Sequence, residues 1–498
     1  MTEAIYERLK AIVGADRVVT DEATMEKYSR DQSFVPSCLP DCVVYAETVK
    51  EVEEVLKAAN ETGTPVIPVS SGMHLRGAAI PKEAGVILDL SRMNQITEIN
   101  DQEGWAAIEA GVTYSQLARE LEKHNLRVMM PLGVPGSRSV ITSIMEGDPT
   151  LASASFEYGN SLYLDVEVVV PEGWAWRVGK WRARMNGEWS TPGGGGKLTT
   201  NVWPWMFESA QGSMGIFTGL VVKAEHLLPK YSKVFVVPFD TLEKAVEPLR
   251  RIQRKEIGLE CFLLNNFNMA AIRTEDWGIP DELPCEKSPI NGFSALRERL
   301  PKWTMVIHLS AHPYFPEEKV AYEEEALRAL AQEMGFALKQ TVGGEEGLEA
   351  TLLDTILHPW TALKKARFKG SFHPVTCYAK LADVPQLEEA ITTLAQERGY
   401  PIGDIGGYML PIERGRNCYL EFDLHCDLDD ADEVEKVKAL WLEANKLLAN
   451  KGALLSNPYG ACADIIYGRV NPTYVRLLKN WKKELDPNNI LNPGQLCF

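Results

Sequence analysis

The chain has 498 residues, with 45% hydrophobic and 24% charged residues. That balance excludes wholesale disorder and a polytopic membrane protein, and at about 150 residues per domain the length predicts two or three domains. Lys and Arg total 52 against 69 Asp and Glu, a net charge of −17 that argues against nucleic acid and anionic membrane surfaces as partners. The start, Met1-Thr-Glu-Ala-Ile-Tyr-Glu, lacks the basic and apolar regions of a secretory signal, so a cytoplasmic location is expected. Nine cysteines are scattered without a CxxC pair, which predicts buried thiols rather than disulfides, a zinc site or an iron–sulfur cluster.

The first quarter reads as alternating strands and helices. Cys42–Tyr45 is a short strand, and Val49 to Asn60 is a helix stopped by Gly63. Val66–Val69 is a strand opening into Ser70-Ser-Gly-Met-His-Leu-Arg-Gly77. Gly85–Leu90 and Trp105–Glu109 are further strands, and Tyr114 to Lys123 is a helix. Residues 131–160 have loop chemistry, with Pro131-Leu-Gly-Val-Pro-Gly-Ser-Arg-Ser139 and the Gly147-Asp-Pro149 break. Leu164–Val170 and Ile216 to Leu227 are strands that flank an irregular, Trp-rich excursion over 174–205 with a flexible Gly193–Gly196 run. Trp174, Trp176, Trp203 and Trp205 read as packing anchors.

Beyond Pro229 the helices lengthen. Thr241–Arg254, Pro316–Met334, Val384–Arg398 and Asp432–Asn450 are predicted helices; Val234–Val237, Met305–Leu309 and Tyr419–Leu424 are predicted strands. This is an α+β pattern of ferredoxin-like kind. From Asn417 to Cys426 the residues alternate: Cys418, Leu420, Phe422, Leu424 and Cys426 on one face, and Tyr419, Glu421, Asp423 and His425 on the other. The polar face is either solvated or lines a cavity, where two close carboxylates supply a general base and Arg416 or Arg367 binds an anionic group. Asn471 to Glu484 is a basic helix, and its Lys479-Asn-Trp-Lys-Lys483 turn reads as complementing the helix dipole or docking an electron-transfer partner. No internal repeat is visible.

Glycines in the 70–77 loop let the main chain approach a ligand, and successive N–H groups can face a diphosphate. Taken with Gly85-Val-Ile-Leu-Asp-Leu-Ser-Arg-Met-Asn94, Ala110-Gly-Val-Thr113, Ser209-Ala-Gln-Gly-Ser-Met-Gly-Ile216 and Leu485-Asp-Pro-Asn-Asn-Ile-Leu-Asn-Pro-Gly494, this loop resembles the vanillyl-alcohol oxidase and para-cresol methylhydroxylase flavoprotein family. The resemblance implies a two-lobed α+β fold. Residues 1–230 form an FAD-binding domain, 231–455 a ferredoxin-like cap over the flavin, and 456–498 a segment returning to the FAD domain. It implies an FAD-dependent oxidoreductase that takes a hydride from an alcohol, hydroxyacid or alkylphenol-like substrate. A flavin-bearing subunit of an electron-transfer complex, and a catalytically dead protein that keeps the fold, are the alternatives.

By the same resemblance Ser70, Ser71, Gly72, Met73, His74, Leu75, Arg76 and Gly77 cradle the diphosphate. Pro135, Gly136, Ser137, Ser143 and Gly147 run past the flavin, and Gly212, Gly215 and Ile216 close around it. Relatives with Gly-Gly-His attach flavin to that histidine; Gly72-Met-His74 departs from the triplet, so FAD is expected to be non-covalent, with His74 as the candidate attachment point. Arg416-Asn417 stands where other members carry a His-His pair for attachment. Phenol-oxidising members hold phenolate with two tyrosines and an arginine. Here Asn457-Pro-Tyr-Gly460 keeps only Tyr459, Leu75-Arg76 replaces the loop tyrosine, and the aspartate beside the flavin is missing from Val134–Arg138. The catalytic candidates are Tyr459, Glu421, Tyr419 and Arg416. No metal motif is present: His308 and His312 sit at a strand end. The electron acceptor (oxygen, a cytochrome or an electron-transfer flavoprotein) is open, and a homo-oligomer is an open expectation.

Overall fold

The computed structural model describes residues 3–152, 162–179, 184–185, 188–189, 207–227, 231–311, 315–455 and 458–498. Gly193–Gly196, Trp203-Pro-Trp205, His312 and Asn457 lie outside them.

The first lobe begins with short apolar strands. Cys42–Tyr45, Val86–Asp89 and Val66–Val69 lie parallel in that order, with Val18–Val19 antiparallel at the edge. Strands buried on both faces suit such unbroken β-branched runs. The helix Val49–Thr62 is capped by the Thr48 hydroxyl and ends at Gly63. Its Val52, Val55 and Leu56 pack with Ile5, Leu9 and Val13 of the helix Glu3–Val13.

A second, antiparallel sheet follows in the order Ile96–Asn100, Trp105–Glu109, Ile216–Lys223, Tyr163–Val170, Trp174–Gly179. The expected irregular excursion therefore starts as an edge strand, because Val170 and Trp174 pair across the 171–173 turn. Trp174 is exposed, with its indole on Glu172, so it anchors nothing; Trp176 packs at the edge of a small core. The loop expected across 131–160 contains a helix, Val140–Glu146, which Ser139 caps by accepting the Thr142 N–H.

The tail returns to this lobe. Val66 N donates to Ile490 O and Asn492 N donates to Val66 O, so the last residues run beside the strand that feeds the 70–77 loop. Lys482, expected on a basic surface turn, is buried instead; its ammonium donates to Asp486, Ser213 O and Leu491 O. It thereby clamps the 209–216 segment to the tail.

The second lobe is a six-stranded antiparallel sheet in the order Lys233–Phe239, Trp303–Leu309, Glu260–Asn265, Ile405–Ile412, Asn417–Cys426, Ser371–Lys380. Each half follows a strand–helix–strand–strand–helix plan, with the helices Asn266–Arg273 and Asn291–Arg299 inserted before the last strand of the first half, and the halves meet edge to edge, so a repeat absent from the sequence is present in the topology. The helices Leu242–Arg254, Pro316–Met334, Val384–Glu397 and Ala431–Asn450 cover one face. Cys418, Leu420, Phe422, Leu424 and Cys426 all point into that core, as the alternation requires. Three of its strands were not expected. Ile405–Ile412 carries Gly406-Gly407, which reads as a strand breaker, yet a Cβ at Gly406 would stand 2.6 Å from Asp423 Oδ2. The glycine makes room for a buried carboxylate.

The lobes are tied by a buried cluster. Arg127, on Leu126–Arg127 of the first lobe, donates to Glu260 of the cap sheet at 2.8 Å, and His308 Nδ1 lies 2.6 Å from the other Glu260 oxygen. Six of the nine thiols, at Cys42, Cys261, Cys377, Cys418, Cys426 and Cys462, are buried, and all nine are free.

Candidate active site

The loop 70–77 leaves the carboxyl end of a parallel strand, where α/β sheets commonly hold ligands. It borders a cleft of about 970 Å³ whose walls include Ser70, Ser71, Met73, His74, Leu75, Arg76, Gly212, Gly215 and Ile216. Among the described residues, the main-chain N–H groups of Ser71 to Arg76 have no protein acceptor. Two donors, Arg76 Nη1 and Arg138 Nε, are buried without a hydrogen-bond partner. Donors left open in a concave wall are what a diphosphate needs. Asn492 braces the opening by donating to both Ala78 O and Gln211 O.

Other residues expected at this cleft support it from behind. Gly72 has φ +97° and stands against the adjoining loop: a Cβ would lie 2.3 Å from Ser137 O and 2.6 Å from Arg138 Cα. Its close approach is to that main chain. Gly77 does not offer its N–H to a ligand, because that group donates to Asp31 Oδ2 at 2.7 Å. Ser143 is fully buried within its helix, and Gly147 ends that helix at φ +74°. Gly136 packs under Trp360 of the cap, and Pro135 faces a second, smaller pocket. Arg138, Glu146, Gln211 and Phe207 line the cleft without having been expected. Arg138 and Gln211 lie inside the quoted motifs, so motif position could have found them; Phe207 carried no signal.

The smaller pocket lies between the lobes and shares Leu75, Arg76 and Arg138 with the cleft. Apolar walls come from Leu132, Val134 and Phe372, and polar groups from Asp148, Lys365, Tyr408, Tyr419 and Glu421. Arg76 donates to Asp148 at 2.9 Å, and its guanidinium lies 5.3 Å over the Tyr459 ring. Burial opposes its charge, but Asp148, Tyr459 and Glu146 outweigh that and raise its pKa. Arg138 pairs with Glu146. The aspartate missing from 134–138 is thus matched by carboxylates at 146 and 148.

Across the pocket, Lys365 donates to Glu421 at 2.8 Å and to Asp423 at 2.7 Å, and the Tyr419 hydroxyl donates to Glu421 Oε2 at 2.9 Å. Burial raises the Glu421 carboxyl; Lys365 pulls it down and Asp423 pushes it up, and the net shift is upward. Burial also raises the phenols of Tyr408, Tyr419 and Tyr459 well above their ordinary value, so they stay protonated donors. The Tyr408 hydroxyl is buried without a partner. His74 is in the cleft wall, where desolvation, then Arg138 and Lys27, lowers it to about 4.

Arg416 needs correction. It sits on the exposed tip of the hairpin before Asn417, its guanidinium on Glu413 O, away from the pocket. Arg367 is likewise occupied with Gly278 O and Glu286 O. The cations of the site are Arg76, Arg138 and Lys365. His425 leaves the polar set too: it packs on Phe267 and hydrogen-bonds Asp404 O. Among the described residues no three His, Cys, Asp or Glu side chains converge as a metal site, and no helix is long and apolar enough to cross a membrane.

Comparison with known proteins matches residues 40–179 to an FAD binding domain and 420–496 to the C-terminal domain of FAD linked oxidases. The solved structure of p-cresol methylhydroxylase with substrate bound superposes with a TM-score of 0.81 at 19% identity, covering 100% of this chain and 98% of that one. The chain carries the FAD binding domain and the C-terminal domain of FAD linked oxidases, and it has the p-cresol methylhydroxylase fold. This flavoprotein is an FAD-dependent oxidoreductase, and the open amides and guanidinium nitrogens of the cleft fit its cofactor. It is also similar to the glycolate oxidase subunit GlcD of Bacillus subtilis, 23% identical over 100% of this chain and 97% of that protein. The 4-cresol dehydrogenase [hydroxylating] flavoprotein subunit of Pseudomonas putida is 30% identical over 35% of this chain and 34% of that protein.

Proposed function

We propose that this flavoprotein dehydrogenates a small alkylphenol-like substrate bound in the pocket between the lobes. The observation that carries the reading is Arg76 lying over the Tyr459 ring. The sequence loses the arginine after Tyr459, where Gly460 stands, and the fold supplies one from the diphosphate loop. Tyr459 and Arg76 together can hold a phenolate oxygen, with the free Tyr408 hydroxyl as a further donor. Bound FAD supplies a two-electron acceptor for a hydride leaving a substrate carbon.

The chain's own residues do the rest. Leu132, Val134 and Phe372 exclude water from the ring. Glu421, raised by burial and joined to the Tyr419 hydroxyl, takes up at Oε2, through that hydroxyl, the O–H proton the phenol loses as it becomes the phenolate. Lys365 keeps the Glu421 and Asp423 carboxylates apart and in place. In the division of labour we propose, 1–230 with 456–498 holds FAD and 231–455 covers the substrate.

Anaerobic addition of para-ethylphenol to the purified holoprotein is expected to bleach the flavin, and D-lactate to leave it yellow. Tyr459→Phe should raise the phenol concentration needed while retaining FAD. Bleaching by D-lactate alone would overturn the substrate class, and bleaching only in the presence of a partner protein would favour a subunit role.

A further inference from the structure

A third cavity, about 540 Å³, opens off the substrate pocket. The two share Leu75, Arg76 and Pro374, and Tyr459 lines the larger one, so it begins at the contact between Arg76 and the Tyr459 ring. Its far wall is aromatic. Phe34 stacks on His373 with centroids 3.9 Å apart and meets Trp441 edge-on at 6.0 Å. The wall is fixed in place, since the Trp441 indole donates to Pro374 O at 3.0 Å. His373 is held neutral, lowered to about 3 by burial and then by His425, so it presents a flat uncharged face. One polar group there has nothing to bind. Gln495, only 3% exposed, lines the cavity, and its Nε2 has no hydrogen-bond partner.

We propose that this cavity binds a second arm of the substrate, an aryl group attached beside the ring hydroxyl and carrying a hydrogen-bond acceptor for Gln495. The proposal rests on the alkylphenol reading and narrows it to phenols extended on the hydroxyl side. A single ring fills only the smaller pocket. A ring bearing an ortho-aryl arm reaches past Arg76 and Leu75 to the Phe34–Trp441 wall, where apolar burial and ring contacts add to affinity without touching the reacting carbon.

The test uses the FAD-loaded protein with para-ethylphenol and its ortho-phenyl derivative as probes. Binding is read by isothermal titration calorimetry in every variant, with the fluorescence change lost in Trp441→Phe as a local reporter in the wild type, and flavin reduction is followed separately. The derivative should bind about tenfold or more tightly than para-ethylphenol. Trp441→Leu and Phe34→Leu should each erase that advantage while leaving reduction by para-ethylphenol at the wild-type rate. Equal or weaker binding of the derivative, or an advantage that survives both variants, overturns the proposal. A Trp441 signal that follows FAD removal instead of probe addition assigns the cavity to the cofactor and overturns it as well. If neither phenol reduces the flavin, the alkylphenol reading falls, while Trp441-dependent binding still reports whether the cavity accepts an aryl arm.

Discussion

Replacing Glu260 by Gln should loosen the cap from the FAD lobe. Burial alone would raise this carboxyl, yet Arg127 and His308 hold it at about 2 against an ordinary 4.5. A depression from 4.5 to about 2 contributes about 3 kcal/mol of stability at neutral pH. Because the folded-state value is the lower one, that contribution is present above pH 4.5 and is lost as the pH falls towards about 2. Gln mimics the protonated acid and leaves the Arg127 guanidinium, itself 7% exposed, without its anion; breaking a buried pair in this way costs about 3–5 kcal/mol. Urea unfolding at pH 7 should therefore show Glu260→Gln destabilised by about 3 kcal/mol. The gap should narrow as the buffer is taken below pH 4.5. Arg127→Met combined with Glu260→Gln should recover part of the loss, since no buried charge is then stranded. Wild-type stability of the single variant at pH 7, or a gap that stays constant on acidification, would refute the reasoning. The consequence reaches function because Arg127 lies just before the segment 131–135 that walls the substrate pocket.

Three further outcomes are expected. Gly72→Ala should abolish FAD retention, read as the absorbance ratio of flavin to protein, whereas Gly133→Ala, also at positive φ (+72°) but with open space around it, should keep FAD; equal losses would mean that backbone strain alone, not the clash with Ser137, is decisive. Glu421→Gln should slow flavin reduction by about a hundredfold without releasing FAD. It should also remove the rise in wild-type rate with pH through the raised Glu421 pKa, and unchanged kinetics would move proton transfer elsewhere. Acid precipitation should leave the yellow colour in the supernatant; colour in the pellet would make His74 a covalent attachment point.

What the sequence by itself determined is what short-range chemistry encodes. The strand Val66–Val69, its glycine loop, the capped helix Val49–Thr62 and the alternation over Asn417–Cys426 were legible because each depends on residues within a few positions. The cofactor was legible because several such segments occur in one order. The composition of the pocket was not. Arg76 meets Tyr459 and Lys365 meets Glu421 only when distant stretches of one lobe fold together, and Arg127 meets Glu260 only when the two lobes close. Arg416 was named and Lys365 was not, because side-chain type says nothing about which end of a hairpin faces solvent. Tertiary structure decided the partners, since a buried charge is tolerated only beside its counter-charge and that counter-charge comes from distant chain.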